Sequence, residues 1–132
     1  MGYFDSPVWG LAGDNTGNIY AVGIFDQVQT VVAHNIAKWD GSAWSALGSG
    51  VDGVVFSIGV DDLGTVVGGG TFTLAGSVAV NHVAQWNGTT WSALDAGIND
   101  DVYALSLDSG GNLAAGGDCS TAGGKASCYF VY

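Results

Sequence analysis

Residues 38–50 read KWDGSAWSALGSG and residues 85–97 read QWNGTTWSALDAG, so the chain gives nearly the same phrase twice at an interval of 47 residues. In both copies a short turn, Asp-Gly or Asn-Gly, is the strongest local signal for a tight β-hairpin. A recurrence at this interval indicates a tandem repeat of one structural unit. Each turn is flanked by two tryptophans, and the four are Trp39, Trp44, Trp86 and Trp91.

The same interval of 47 residues relates three longer segments, which align without a gap. They begin at Val8, Val55 and Val102 and read VWGLAGDNTGNIYAVGIF, VFSIGVDDLGTVVGGGTF and VYALSLDSGGNLAAGGDC. Large apolar residues alternate with small ones at the start of each segment, as a β-strand requires. Neither face is charged, whereas a sheet with one solvated face would be polar there. The pattern therefore predicts sheets packed between two similar sheets.

Each repeat contains four predicted strands. A turn rich in Asp, Asn and Gly divides the first two strands, NIAKW or HVAQW supplies the third, and WSAL follows as the fourth. Stacked four-stranded antiparallel meanders of about 40–50 residues are typical of β-propeller blades. We therefore predict an all-β chain of propeller blades. The three repeats span residues 8–54, 55–101 and 102–132, and the third is truncated because it lacks its fourth strand.

Residues 1–7 precede the first repeat and have no clear counterpart in it. One interpretation is an edge strand formed by Gly2, Tyr3 and Phe4 and ended by Pro7. The other interpretation is a disordered terminus. The sequence leaves both open.

The phrases NIAKWDGSAWSALGSGVDG and VYALSLDSGGNLAAGG resemble the repeats of bacterial secreted and cell-surface β-propeller proteins. Similar phrasing occurs in the propeller region of cell-cortex polarity-marker proteins. The resemblance extends from Val8 to Tyr132 and implies a propeller fold at or outside the cell surface. It implies no particular activity, because propellers host many functions.

The charge of the chain excludes several classes of partner. Its 132 residues carry a net charge of −10 with only two cations, Lys38 and Lys125. Nucleic acids need a basic surface and anionic membranes repel an acidic one, so neither is an expected partner. The 12 acidic residues are all Asp, and neither Glu nor Arg occurs, which removes the best surface-helix formers.

The two cysteines, Cys119 and Cys128, occur only in the third repeat, in the columns of Phe72 and Asn81. They flank one loop, so a disulfide between them is sterically reasonable, and two free thiols are the alternative. A bridge would indicate an oxidising location, extracellular or on the cell surface. Two cysteines without further suitably spaced ligands do not indicate a zinc site.

Polar residues mark the entry to the third strand in two repeats. They are His34 and Asn35 in the first repeat, and Asn81 and His82 in the second. They predict either a ligand pocket at the rim between blades or side chains that satisfy loop backbone groups. No histidine has a nucleophile beside it in a recognisable triad pattern, so we expect a non-enzymatic protein without metal or cofactor.

Three blades do not close a ring, which usually has about four to eight. The exposed blade face and strand edge predict self-association, with a dimer of three-blade chains favoured and a filament as the alternative. In that assembly the segment Gly2–Phe4 would pair with the third repeat of a neighbour beside Phe130, Val131 and Tyr132. The second functional hypothesis is a lectin-like carbohydrate-binding propeller, in which tryptophan, asparagine and histidine contact sugar.

Overall fold

The computed structural model describes residues 4–61, 63–94, 100–107, 113–117 and 130–131. Within these ranges the protein is all-β, with no helix and therefore none that could span a membrane. The strands are β1 (Val8–Gly13), β2 (Ile19–Gly23), β3 (Gln27–Val28), β4 (Val31–Val32), β5 (Ile36–Trp39), β6 (Trp44–Ala46), β7 (Val55–Val60), β8 (Val66–Gly70), β9 (Leu74–Ala75), β10 (Val78–Ala79), β11 (Val83–Trp86), β12 (Trp91–Ala93), β13 (Val102–Leu107), β14 (Leu113–Gly117) and β15 (Phe130–Val131).

Two four-stranded antiparallel sheets follow one another along the chain. The first sheet has the order β1-β2-β5-β6, and the second has the equivalent order β7-β8-β11-β12. In each, a small hairpin, β3-β4 or β9-β10, projects between the second and third strands of the sheet. The third sheet contains β13, β14 and β15. The predicted all-β architecture of four-stranded antiparallel sheets is confirmed for the first two.

The sheets pack through their first strands, because β1 contacts β7 and β7 contacts β13. An aromatic ladder runs along this contact, with ring centroids 6.3 Å apart for Trp9 and Phe56 and 5.2 Å apart for Phe56 and Tyr103. These three residues occupy one column of the repeat. The backbone N–H of Leu105 also donates to the Ser57 hydroxyl at 3.0 Å, which links the third sheet to the second.

A core of buried apolar side chains lies between the first and second sheets. Burial of apolar side chains from both sheets stabilises this contact at roughly 25 cal/mol per Å² removed from water. Neighbouring sheets cover each other's faces. The strands therefore carry large and small apolar residues and no charged face, as the sequence indicated. Its buried members include Val22, Ile36 and Leu47 from the first sheet and Val55, Phe72 and Trp91 from the second.

Phe4 lies in the core of its own chain. It forms an antiparallel bridge with Val28, and its ring contacts those of Phe25 and Trp44 at centroid distances of 4.7 and 5.1 Å. Phe4 therefore pairs at the edge of the β3-β4 hairpin of its own chain, while Gly2 and Tyr3 of the predicted edge strand lie outside the described residues. The ring of Phe4 thus packs within the first unit, and the predicted pairing of Gly2–Phe4 with the third repeat of a neighbour stays a prediction.

Residues 4 and 5 are a repeat element that the sequence comparison missed. The bridge between Phe4 and Val28 has its counterpart 47 residues later, between Val51 and Ala75. Asp5 Oδ1 accepts the N–H groups of residues 26 and 27 at 3.0 and 3.1 Å. Asp52 Oδ1 accepts those of residues 73 and 74 at 2.8 and 2.9 Å. The segment before the first sheet thus matches the one that leads into the second.

Asp14 organises the turn between β1 and β2. Its carboxylate accepts the backbone N–H groups of Thr16 and Asn18 at 2.8 and 3.0 Å, and the Asn18 side-chain amide at 2.7 Å. Burial raises the pKa of Asp14, but the hydrogen bonds from Asn18 and Thr16 outweigh it and lower the pKa to about 2. The turn is therefore bonded to an ionised carboxylate at neutral pH.

We expect this turn to lose stability in acid. A carboxyl with a lowered folded-state pKa stabilises the fold above its unfolded pKa and loses that contribution as pH falls through the folded value. For Asp14 the window runs from the ordinary value of 3.8 down to about 2. The contribution is at most about 1 kcal/mol, since solvent screens the half-buried group. Urea denaturation between these pH values measures it, and Asp14→Asn should flatten that part of the pH profile. An unchanged profile in the variant would contradict the assignment.

Candidate functional site

Asn35 lies where the β3-β4 hairpin returns to the first sheet, with a left-handed backbone at φ 68° that asparagine tolerates better than most residues. Its Oδ1 accepts the N–H of Phe25 at 3.0 Å, and its Nδ2 donates to the carbonyl of Val51 at 3.0 Å. The side-chain amide therefore joins the corner of the first sheet to the segment that leads to the second. This is the loop-bonding role that the sequence left as the alternative to a ligand contact.

His82 occupies the same position in the second sheet, also with a left-handed backbone, at φ 67°. Its backbone N–H donates to the carbonyl of Phe72 at 3.1 Å. Its Nδ1 is buried without a hydrogen-bond partner in the described part of the chain, and Oδ1 of Asp101 lies 4.0 Å away. An imidazole thus stands at a corner where the first sheet uses an amide.

Replacing His82 by asparagine is expected to raise the free energy of unfolding by about 1 kcal/mol. The amide would accept the N–H of Phe72 as Asn35 accepts that of Phe25, and it would remove the buried, unpartnered Nδ1. Urea denaturation followed by tryptophan fluorescence measures the change. The reciprocal variant Asn35→His is the matched control and should be destabilised. Equal effects of the two variants, in either direction, would contradict the equivalence of the two corners.

A polar cleft of about 310 Å³ opens between the first sheet and the β9-β10 hairpin. It is lined by His34 and Asn35, whereas Asn81 and His82 lie at the corresponding corner of the next sheet. The half-exposed His34 ring has its Nδ1 3.2 Å from Oδ1 of Asp26. The cleft thus takes in one of the two polar corners singled out in the sequence, and a ligand-binding role for the four residues stays a prediction.

Asp52 lines the same cleft and is engaged with the β9-β10 hairpin. Its Oδ1 accepts the N–H groups of Thr73 and Leu74, and its Oδ2 accepts the Thr73 hydroxyl at 3.1 Å. Burial raises the pKa of Asp52, but these hydrogen bonds outweigh it and hold the pKa below its usual value. In the described ranges no group of three or more His, Cys, Asp or Glu side chains is placed to hold a metal ion.

The tryptophans pair across the hairpins. Trp39 lies opposite Trp44 with ring centroids 5.5 Å apart, and Trp86 lies opposite Trp91 at 5.3 Å. Trp44 and Trp91 are buried, while their partners are half-buried. Tilted aromatic pairs of this kind contribute about 0.5–1.5 kcal/mol beyond the area they bury. The buried ring of each pair packs inside the protein, with only 5% of Trp44 and 6% of Trp91 exposed.

The indole N–H groups of the two buried tryptophans differ. Trp91 Nε1 donates to the carbonyl of Leu47 at 2.9 Å, from the second sheet to the tail of the first. Trp44 is the equivalent residue one unit earlier and is only 5% exposed, yet its Nε1 has no partner among the described residues. A buried donor without an acceptor costs about 1–3 kcal/mol. The equivalent acceptor would belong to a unit lying before the first sheet.

The first strands of the sheets also differ, in how far their equivalent apolar side chains are buried. Ile58 packs into the core between the first and second sheets, and Leu105 packs over Gly69 of the second sheet. Leu11, in the same column of the repeat, is 63% exposed. We call the side of the first sheet that carries Val8 and Leu11 the open face. In the second and third sheets, the corresponding side is buried against the preceding sheet.

A second cleft of about 240 Å³ lies beside Trp86. Four residues with hydroxyl groups, Thr89, Thr90, Ser49 and Ser77, also line this cleft. An aromatic ring with several hydroxyls can stack on a sugar and hydrogen-bond to it. This cleft is where the described residues best fit the carbohydrate-binding hypothesis.

Several predicted residues fall at the limits of the structure. Phe130 and Val131 form β15, which pairs with Ala115 and Ala114 of β14. The remaining predicted assembly and disulfide residues lie outside the described ranges, so their predicted roles stay predictions. They are Gly2, Tyr3, Tyr132, Cys119 and Cys128.

An exposed blade face was predicted from the sequence, but its residues Val8 and Leu11 and the unpaired indole of Trp44 were not. The signal available was the column itself, since Leu11, Ile58 and Leu105 are all large and apolar. Their unequal exposure depends on whether a preceding sheet covers the strand that carries each residue.

Searches among known protein families, curated proteins and solved structures found no match for this chain.

Proposed function

We propose that the chain is a non-enzymatic β-propeller module that acts outside the cell or on its surface, through self-association and binding. The support for blades is that two four-stranded meanders of identical strand order, and then a third sheet, pack through their first strands. Radial sheets that contact one another through their first strands are the arrangement of a propeller.

The observation that carries self-association is the open face. Ile58 and Leu105 are covered by the preceding sheet, but Leu11 has no such cover in the described part of the chain. The buried N–H of Trp44 lacks the acceptor that Trp91 finds in Leu47. A further sheet of the same kind would cover the leucine and would place a carbonyl within reach of the indole.

A dimer of three-blade chains is the favoured assembly, because two chains supply six blades, within the usual range of about four to eight. A head-to-tail contact that does not close continues as a filament. The proposed extracellular location depends on the sequence, chiefly on a bridge between Cys119 and Cys128 and on the resemblance of the repeats to secreted propellers.

Sedimentation velocity of the full chain tests self-association. Between about 1 and 100 µM, the range in which weak specific interfaces saturate, the mass should rise from that of one chain, 13.3 kDa, to that of a dimer or larger particle. A single chain at every concentration would contradict the proposal.

The cleft beside Trp86 favours carbohydrate binding as a second candidate function. A glycan array with the labelled full chain tests it, and Thr89→Val, which removes one hydroxyl from the cleft while keeping its shape, should weaken any signal. Binding that the Thr89→Val variant retains would place the sugar elsewhere. No binding to the array would leave self-association as the function.

A further inference from the structure

A further cleft, of about 290 Å³, opens where tight turns of the first and second sheets meet. Its walls come from the β1-β2 turn of the first sheet and from the β7-β8 and β11-β12 turns of the second. Two strand residues of the first sheet, Tyr20 of β2 and Lys38 of β5, also line it. They lie directly opposite one another in the antiparallel pair, so their side chains share one face of the sheet.

Lys38 brings an unpaired positive charge to this cleft. It is one of only two cations in a chain whose net charge is −10. The residue is half-buried, and its ammonium group forms no hydrogen bond or ion pair with the part of the chain that the structure describes. The nearby carboxylate of Asp14 is instead bonded to Thr16 and Asn18 of its own turn. The three ammonium donors of Lys38 are therefore available to an anionic ligand.

The hydroxyl of Tyr20 is a second group without a partner. Only 4% of Tyr20 is exposed, yet its hydroxyl makes no hydrogen bond with any described residue. Burial raises the pKa of Tyr20, and the negative charge of Asp14 raises it further, so the phenol is a protonated donor at neutral pH. Because buried tyrosine hydroxyls usually find a partner, this one marks the cleft as a place for a polar ligand.

The second repeat lacks this pair of groups. Val67 and Gln85 occupy the columns of Tyr20 and Lys38 and lie opposite one another in the same register. An apolar side chain and a neutral amide therefore satisfy these two strand positions. The blade does not need a phenol or an ammonium group there, and both are specific to the cleft between the first and second sheets.

The lining favours a ligand with one negative charge and several hydroxyls. One ammonium group balances one charge, and the net charge of −10 opposes a more highly charged ligand. Asn15 and Asn87 add side-chain amides that can bind hydroxyls, and Leu63, which is 92% exposed, adds an apolar contact. The volume lies near the lower end of the range of small-molecule pockets, about 300–1,000 Å³, and suits a single sugar unit.

We infer that this cleft binds a sugar acid, that is, a monosaccharide unit that carries one carboxylate. Lys38 donates to the carboxylate, and the hydroxyl of Tyr20 donates to another oxygen of the same ligand. The site differs from the cleft beside Trp86 in its residues and in the charge of its ligand. Binding here does not depend on self-association.

Titration of the isotopically labelled full chain with D-glucuronate, followed by NMR spectroscopy, tests the inference. The amide signals of Lys38 and Gly64 should shift with a dissociation constant of about 1 mM, as expected for a small ligand with few contacts. D-glucose has no carboxylate and acetate has no hydroxyls, so each should bind about tenfold more weakly or worse. No shift at about 20 mM glucuronate, or equal binding of glucose or acetate, would overturn the inference.

Two variants remove the paired groups one at a time. Lys38→Gln installs the residue of the second repeat and should raise the dissociation constant for glucuronate about tenfold or more, because a charged hydrogen bond is lost. Tyr20→Phe removes only the hydroxyl and should raise it about three- to tenfold. Circular dichroism should show both variants folded. An unchanged dissociation constant in either folded variant would overturn the role of the pair.

The matched control moves the cation without changing the net charge. The double variant Lys38→Gln with Gln85→Lys places the ammonium group in the same column of the next repeat, and it should bind glucuronate as weakly as Lys38→Gln alone. If the double variant binds like the wild-type chain, the attraction is a general effect of charge and the site is refuted. A chain that stays monomeric in sedimentation would contradict self-association but would leave this result unchanged, so the two failures are distinguishable.

Discussion

Replacing Gly50 by alanine is expected to lower the free energy of unfolding by about 3 kcal/mol or more, from a left-handed backbone and a backbone clash together. Gly50 has φ 76°, and a Cβ atom there would lie 2.4 Å from the carbonyl oxygen of His34. Gly50 lies in the segment that connects the first sheet to the second. Its carbonyl accepts the N–H of Gly76 at 2.7 Å. Urea denaturation of the full chain measures the loss.

The Gly17→Ala variant separates the two causes. Gly17 has φ 90°, but no described atom lies within 4 Å of its Cβ position, so only the backbone term of about 1 kcal/mol applies. We expect Gly50→Ala to be clearly the more destabilised of the two. Equal losses would show that the close approach to His34 contributes nothing, and would contradict the packing described for this crossing.

The Trp91→Phe variant should lose about 2–3 kcal/mol of stability, combining a smaller ring in a tight core with the loss of a buried hydrogen bond. The bond joins Trp91 Nε1 to the carbonyl of Leu47 at 2.9 Å and links the two sheets. Because the donor and acceptor belong to different sheets, the loss measures a contact between units. Urea denaturation again provides the value.

The matched control is Trp44→Phe. Trp44 has the same ring partner geometry and nearly the same burial as Trp91, but its Nε1 has no described acceptor. At a concentration where the protein is monomeric, Trp44→Phe should therefore cost about 1 kcal/mol less than Trp91→Phe. A cost as large as that of Trp91→Phe would show that the indole of Trp44 is already hydrogen-bonded within one chain.

The sheets could be predicted because the sequence repeats their local signals. Asp40-Gly41 and Asn87-Gly88 each supply the turn that brings two tryptophans opposite one another. Apolar alternation in the segments from Val8 and Val55 fixes β1 and β7. Both signals depend on neighbours close in sequence, so a single sequence is sufficient to find them.

The role of Phe4 could not be predicted, because Phe4 and the equivalent residue of the next repeat, Val51, have little in common. Phe4 and Val51 are both apolar but differ in size, and only the aspartates that follow them are identical. Their common function, an Asp that accepts two N–H groups of the following hairpin, appears only in the folded chain. Phe4 and Asp5 lie 47 residues before Val51 and Asp52, the same interval as in the repeats, but the long ungapped match begins only at Val8.

The candidate site was predicted less well than the sheets. His34 and Asn35 were identified as a polar corner, yet the sequence does not show that the Asn35 amide is fully engaged with Phe25 and Val51. Trp44 and Trp91 are indistinguishable in the sequence, and their indoles differ only because one sheet has a described predecessor and the other has none. Contacts between units depend on which sheet packs against which, and local sequence patterns do not encode this.

Electron microscopy of the associated particles tests most directly the central claim, that these sheets are propeller blades completed by a second copy. We expect particles with the mass of two chains, in which six sheets radiate from one central axis and the first strands lie innermost. The claim would be contradicted by particles whose sheets stack without a common axis, or in which the face of Val8 and Leu11 stays exposed to solvent.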